Sequence, residues 1–368
     1  MNKLSELAPP NVRGIAPYVP GKPIAETARE LGLEAASILK MASNENPLGP
    51  SPRALVAIRG ALEDLAYYPD GSGYELKHAL ERKLGIAPER VVLGNGSNDV
   101  LELVARSFLT PADSVVYSRH AFLVYPLVVQ AVGARSIEVP AKDHGADLDA
   151  MAKAIRADTK IVFLANPNNP TGTFNTWATV RAFIEQVPPR VLVVIDEAYG
   201  EYLPAELVSP SLGWQAEHPN LIVTRTLSKA YGLAGLRIGF AVADPAIADV
   251  MNRVRQPFNV NHLALVAAVA ALDDDEFIRK SRETNAAGLR QLEEGFRRLG
   301  LEYIPSFGNF ITVRVGEAPR VYAGLLARGV IVRPIAGYGL PEHLRVTVGL
   351  PEQNRRFLEA LSSVIGKG

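Results

Sequence analysis

Lys229 is the side chain in this sequence best placed to do covalent chemistry. It stands in the stretch Thr224 to Phe240, shortly after the apolar run Leu221-Ile222-Val223. That run predicts a buried strand of an α/β sheet. Ser228, Ala230, Gly232, Ala234 and Gly235 surround the lysine with small residues, and the glycines let backbone approach a ligand closely. A lysine held in a partly dry site loses proton affinity and becomes nucleophilic, able to form a Schiff base with an aldehyde. Arg237, eight positions on, keeps a second cation nearby and suits a phosphate or carboxylate. Taken alone, a Ser-Lys-Ala near a strand end equally describes a surface lysine, so the reading depends on partners elsewhere in the chain.

Four upstream stretches supply candidates. Val191 to Ile195 predicts a second buried strand, and Asp196 ends it, followed by Glu197-Ala198-Tyr199. A carboxylate placed there is costly to bury unpaired and calls for a cation, although an Asp capping the next helix fits the same spacing. Ile161 to Ala165 is a third buried strand, ended by Asn166-Pro167-Asn168-Asn169-Pro170-Thr171-Gly172. Its prolines fix a loop that exposes amides at the carboxyl end of a strand, where open α/β sheets bind ligands. Val91-Val92-Leu93 leads into Gly94-Asn95-Gly96-Ser97-Asn98-Asp99 and then a helix to Phe108. A glycine turn at a helix start offers free N–H groups and a positive dipole end to an anion. The turn lacks the third glycine of a dinucleotide fingerprint and the Gly-Lys-Ser/Thr of a P-loop, and a plain tight turn is the competing reading. Phe122 and Tyr125 follow the strand Ser114 to Tyr117, where an aromatic face could cover a flat ring or simply fill the core.

These residues need a scaffold, and the chain is long enough to provide one. It has 368 residues, enough for a large core and two domains. Alternating strands and helices from about 50 to 270 predict a mostly parallel, doubly wound sheet, an α/β fold. Composition changes at an acidic run, Asp273 to Glu276, and a long charged helix, short strands and a closing helix then predict a smaller α+β domain. The expected division is 1–45 for an amino-terminal arm with part of the small domain, 46–270 for the large domain and 271–368 for the small carboxyl-terminal domain. Residues 1–24, rich in proline and glycine, predict an extended arm. Arg333 and Arg345 fall on or beside apolar strands, where an arginine pairs with an acid or an anionic ligand.

Composition narrows the function classes. Lys plus Arg and Asp plus Glu are both 39, so formal net charge is zero, which argues against nucleic acid or an anionic membrane as a bulk partner. Cysteine is absent, so disulfides, thiolate metal sites and cysteine nucleophiles are ruled out; a reducing, cytoplasmic compartment fits. The first ten residues carry no signal-peptide pattern, and the apolar run Leu263 to Leu272 is too short for a membrane span. The six histidines have no metal-ligand spacing, so no metal is expected.

The order glycine anion turn, aromatic, Asn, Asp, Lys, Arg resembles the fold type I pyridoxal-phosphate aminotransferases over essentially the whole chain. Asn166 to Gly172, Asp196 to Tyr199 and Thr226 to Ala230 carry that resemblance. Within it the sequence is most similar to the histidinol-phosphate aminotransferase family, through Ala16-Pro17-Tyr18, Asn44 to Pro47, Tyr67-Tyr68-Pro69, Leu236 to Gly239 and Leu344 to Gly349. The resemblance implies pyridoxal 5'-phosphate as cofactor and transamination of histidinol phosphate with 2-oxoglutarate in histidine biosynthesis. Aromatic amino acid transamination and phospho-amino-acid decarboxylation are the alternatives on the same fold.

It also implies roles. Lys229 would hold the cofactor and shuttle the proton at Cα, Asp196 would pair with the pyridine nitrogen, and Asn169 and Tyr199 would bond the phenolic oxygen. Gly96, Ser97, Asn98, Thr226, Ser228 and Arg237 would hold the phosphate, with Phe122 stacked on the ring where relatives often carry tyrosine. Tyr68 would reach the neighbouring subunit's phosphate, implying a homodimer. Tyr18, Asn44, Asn309, Arg333 and Arg345 would take the substrate.

Overall fold

The structure, a computed structural model, describes residues 3–17 and 21–366. A short strand, β1 (Leu39–Lys40), precedes the main sheet, whose strands are β2 (Val91–Gly94), β3 (Ser114–Ser118), β4 (Arg135–Val139), β5 (Thr159–Ala165), β6 (Leu192–Asp196), β7 (Leu221–Thr226) and β8 (Gly239–Val242). Their order is β2-β8-β7-β6-β5-β3-β4. All ladders among β3 to β7 are parallel, while β8 runs antiparallel to both β2 and β7.

The buried strands read as continuous aliphatic runs because helices cover both faces of the sheet. One face packs Leu101, Val104, Tyr125 and Val129 against Val115, Phe163 and Val194. The other packs Val180, Phe183 and Ile184 against Val162, Val193 and Val223. A third cluster lies beyond β2 and β8, where the alanine-rich helix His262–Leu272 packs on the helices Pro52–Gly60 and Tyr74–Leu84. Ser51 caps the first of these by accepting from the Ala54 N–H, with Pro52 in its first turn.

The second layer is antiparallel: β9 (Tyr303–Ile304), β10 (Phe310–Arg314), β12 (Arg333–Pro334) and β13 (His343–Thr347) form a sheet in the order β12-β13-β10-β9. The remaining strand, β11 (Val330–Ile331), pairs in parallel with β1, so residues from the start of the chain join those near its end. The 24-residue helix Asp275–Arg298 and the closing helix Pro351–Ile365 cover this sheet through Leu292, Phe296, Phe357 and Leu361.

Two sequence expectations change. The amino-terminal arm is not simply extended: it forms a 3-10 turn at Lys3–Leu7 and a helical turn at Pro10–Arg13. The side-chain amide of Asn11 anchors the latter by donating to the carbonyls of Gln130 and Ala131. The strand β8, unanticipated in the sequence, inserts between β2 and β7. Gly239 allows it, since a Cβ there would lie 2.5 Å from the Ser97 nitrogen.

Candidate active site

Asp196, Thr226 and the loops after β5 and β7 meet at the carboxyl ends of parallel strands, facing the antiparallel sheet across a cavity of about 180 Å³. Its wall includes Ser97, Asn98, Phe122, Asn169, Asp196, Tyr199, Thr226, Ser228, Lys229 and Arg237, with Asn44, Arg333 and Arg345 from the other side. Sequence reasoning named every one of these.

Lys229 is partly buried, and its Nζ donates to the Ser43 carbonyl at 3.3 Å. Burial first, and then the Arg345 guanidinium, bring its pKa down to about 8. The amine is therefore primed for nucleophilic attack near neutral pH. Tyr199 is buried, and burial pushes its hydroxyl up to about 12, against the opposing pull of Arg345 and a 2.8 Å hydrogen bond donated by Asn44 Nδ2. Asn44 reaches it from a left-handed backbone (φ 55°) fixed by Thr347, whose Oγ1 accepts from the Asn44 N–H at 2.9 Å.

Asp196 is 4 % exposed and, among the described residues, makes no ion pair. Its oxygens accept only from neutral donors: Tyr125 Oη at 3.0 Å, and Thr224 Oγ1 and the Ala198 N–H at 3.2 Å each. Burial raises its pKa, and those hydrogen bonds oppose the rise. The adjacent Glu197 faces away, paired with Arg225 (Nη2 2.8 Å) and held by the Ser209 and Ser211 hydroxyls. Of the two neighbouring carboxylates, only Asp196 opens to the cavity and could meet a cationic ring nitrogen there.

The opposite end of the cavity suits a phosphate. Helix Ser97–Phe108 starts at Gly96 (φ 86°) with no side-chain cap, leaving the positive end of its dipole open. Gly96 does not line the cavity itself; it backs Arg237, whose Nη2 would lie 2.4 Å from a Cβ at that position. Arg237 takes a left-handed backbone (φ 58°), bonds Ser228 Oγ and the Ala234 carbonyl, and forms no ion pair with an acid among the described residues. The Ser228 N–H is held by Thr226 Oγ1 at 3.1 Å. Phe122 adds an aromatic ring to the same wall. A flat nitrogen heterocycle bearing a phosphate and an aldehyde fits this donor set.

Arg345 is 6 % exposed; it donates from Nη1 to Asn169 Oδ1 at 2.5 Å and from Nη2 to the Ala42 carbonyl at 2.8 Å. Arg333 lies directly opposite it in the β12–β13 register. Like charges in cross-strand register repel unless an anion joins them, and both side chains border the same cavity.

Besides Gly96, two expected site residues do not line this cavity. Asn309 is not in the cavity wall: it is 1 % exposed, and its amide donates to the Asn44 carbonyl at 2.9 Å, so it supports the loop that carries Asn44. Tyr68 is 83 % exposed, stacked on Phe258 with ring centroids 4.8 Å apart, and does not reach this chain's own cavity. Tyr18 lies outside the described residues. Sequence reasoning missed Thr224 and the carbonyls of Ala42 and Ser43, and left Tyr125 open between a ring-covering and a core aromatic. Only Tyr125 offered a signal, one helical turn past Phe122. Tyr338 also lines the cavity, on a 3-10 turn after β12 that no sequence motif marked.

Set beside known proteins, residues 36–361 match the family "Aminotransferase class I and II". The chain belongs to that family. It is 58% identical over 365 residues to the histidinol-phosphate aminotransferase of Methylobacillus flagellatus, covering 99% of each chain. It is 59% identical over 358 residues to histidinol-phosphate aminotransferase 1 of Thiobacillus denitrificans, covering 97% and 93%. The crystal structure of histidinol-phosphate aminotransferase from Sinorhizobium meliloti in complex with pyridoxal-5'-phosphate superimposes with a TM-score of 0.89, at 30% identity and 97% coverage of both chains.

Proposed function

We propose that this chain is a pyridoxal-phosphate-dependent transaminase that moves the amino group of L-histidinol phosphate to 2-oxoglutarate, giving imidazole-acetol phosphate and glutamate, in histidine biosynthesis. Identity of 58% along the full length of a histidinol-phosphate aminotransferase supports the activity. One observation carries the substrate class: Arg333 and Arg345 stand opposite each other at the edge of the cavity that holds Lys229. Guanidiniums bordering one cavity suit an anion, and both the phosphate of one substrate and the paired carboxylates of the other supply one in turn.

When bound, pyridoxal phosphate supplies an aldehyde for the amino group and a ring that takes up the electron pair left at Cα. In this reading Lys229 anchors the cofactor and then carries the proton between Cα and the cofactor carbon that bears the nitrogen. Asp196 holds the ring nitrogen protonated, and Asn169 and Tyr199 bond the phenolic oxygen. Ser97, Asn98, Thr226, Ser228 and Arg237 hold the phosphate, with Gly96 leaving room for the arginine, and Phe122 covers the ring. Asn44 orients Tyr199 and borders the substrate, with Asn309 fixing its loop and Tyr18 assigned to the substrate by the family resemblance alone.

The same reading makes the protein a cytoplasmic homodimer in which Tyr68 enters the neighbouring subunit's site. Support comes from the large apolar side chains Val56, Leu62, Leu65, Tyr67 and Tyr68, all exposed along one short stretch of chain. It divides the chain at 45/46 and 270/271, and the pairing of β1 with β11 supports joining the amino-terminal residues to the small domain. Among the described residues no helix is long and apolar enough to cross a membrane, and no cluster of metal ligands occurs.

The deciding experiment compares turnover of histidinol phosphate, phenylalanine and a phospho-amino acid with 2-oxoglutarate. We expect kcat/KM for histidinol phosphate to exceed that for phenylalanine by about a hundredfold, the effect of losing hydrogen bonds between a phosphate and charged donors. Comparable values would reassign the protein to aromatic amino acids, and release of carbon dioxide would make it a decarboxylase.

A further inference from the structure

Tyr125 is completely buried, three residues beyond Phe122 on the helix Val124–Val132. Its ring stacks flat on Phe163 of β5, with centroids 4.7 Å apart and planes 7° from parallel. It meets the Phe122 ring edge-on at 6.0 Å and 88°. Its hydroxyl donates to Asp196 Oδ2 at 3.0 Å. One side chain thus touches both the aromatic platform, edge-on, and the carboxylate.

We propose that Tyr125 is a positioning residue for transamination, one that locks the ring of Phe122 and keeps the Asp196 carboxylate ionised and aimed into the cavity. The inference rests on reading Asp196 as the partner of the cofactor's ring nitrogen. Asp196 Oδ2 has no other protein donor among the described residues, because Thr224 and the Ala198 N–H both go to Oδ1. A carboxylate buried among aliphatic strands has lost most of its hydration, so each hydrogen bond to it weighs heavily in its charge balance. Burial also holds the Tyr125 phenol well above its ordinary pKa, so this hydroxyl stays protonated and available as a donor. Without it, Asp196 would become the stronger base and draw the shared proton from the ring nitrogen to itself. The ring would then lose positive charge, and with it part of its pull on the electron pair at Cα.

The test compares wild type, Tyr125→Phe, Asp196→Asn and the double variant, each loaded with pyridoxal phosphate labelled with ¹⁵N in the ring. Phenylalanine keeps the stacking on Phe163 and the edge contact with Phe122, so its melting midpoint should stay near that of wild type. We expect the ¹⁵N resonance of Tyr125→Phe to move toward that of unprotonated pyridine. Affinity for the cofactor and kcat should each fall about tenfold to a hundredfold, as for loss of a hydrogen bond to a charged group, while KM for the amino donor changes less than about threefold. In the Asp196→Asn background the same substitution should do nothing further. Replacing Tyr125 by 3-fluorotyrosine preserves the fold, strengthens the donor and should move the resonance the other way. An unchanged resonance in both variants, or equal losses with and without Asp196, would overturn the proposal. Wild type that takes up no cofactor would instead strike the reading of the site itself.

Discussion

Arg345 Nη1 donates to Asn169 Oδ1 at 2.5 Å, tying the strand β13 of the antiparallel sheet to the loop that follows β5 in the parallel one. The residue expected to grip the substrate therefore also holds the amide expected to bond the cofactor ring. Binding at one end can be sensed at the other through a single charge-assisted contact.

Replacing Arg345 with Gln should show both effects. The charge opposite Arg333 disappears, and KM for the phosphate-bearing amino donor should rise about tenfold to a hundredfold, the range for losing a hydrogen bond to a charged group. Arg345 is also the second cause, after burial, of the lowered pKa of Lys229. The variant's lysine should hence titrate above about 8. Rates of cofactor capture by the apoprotein, measured against pH, report that shift; an unmoved midpoint would remove Arg345 from the electrostatics of the lysine.

Lys229 makes a prediction of its own about stability. In the unfolded chain its amine keeps a proton up to about its ordinary value of 10.5, whereas in the folded protein it loses it at about 8. Between those limits the unfolded form binds more protons, so this group's contribution to stability rises with pH. Denaturant melts of cofactor-free wild type and Lys229→Met at pH 7.5 and 9.5 isolate the effect, because other titrating groups cancel in the difference. Wild type should gain on the variant at the higher pH. The same substitution should abolish both transamination and the visible absorbance of the loaded protein.

The parts of this site that were legible share one property. Asn169, Asp196 and Lys229 each follow a run of buried aliphatics, and a polar residue at the carboxyl end of a parallel strand has few roles other than binding. What stayed hidden depends on contacts between distant segments. The four residues of β8 follow a left-handed Arg237 and look like loop, yet they pair on both sides. Asn309 sits beside a strand near the site, but its amide turns to the backbone of Asn44, 265 residues away in sequence, and no local pattern specifies that. The bond from Tyr125 to Asp196 crosses 71 residues and is equally invisible to periodicity.

Gly96 was legible as a turn residue, and the structure shows why a side chain is excluded. At φ 86° an alanine is strained, and its Cβ would fall 2.4 Å from Arg237 Nη2. The arginine would have to leave its place beside Ser228. Gly96→Ala should lower affinity for pyridoxal phosphate by about tenfold or more, given backbone strain of order 1–3 kcal/mol. Affinity for pyridoxal, which lacks the phosphate, should fall much less. Titration with both ligands checks this, and equal losses would place the damage outside the phosphate end.

Tyr68 tests the assembly. It is 83 % exposed and does not line its own chain's cavity; in the proposed dimer with shared sites it would serve the partner. Tyr68→Ala and Lys229→Ala homodimers should both be severely impaired. Mixed by unfolding and refolding together, they should form hybrids in which one site joins the intact lysine of one chain to the intact tyrosine of the other. Activity should then recover to about a quarter of wild type, because random pairing makes half the dimers hybrid and each hybrid has one good site. If Tyr68 acted only within its own chain, mixing would restore nothing, since no subunit would carry both residues.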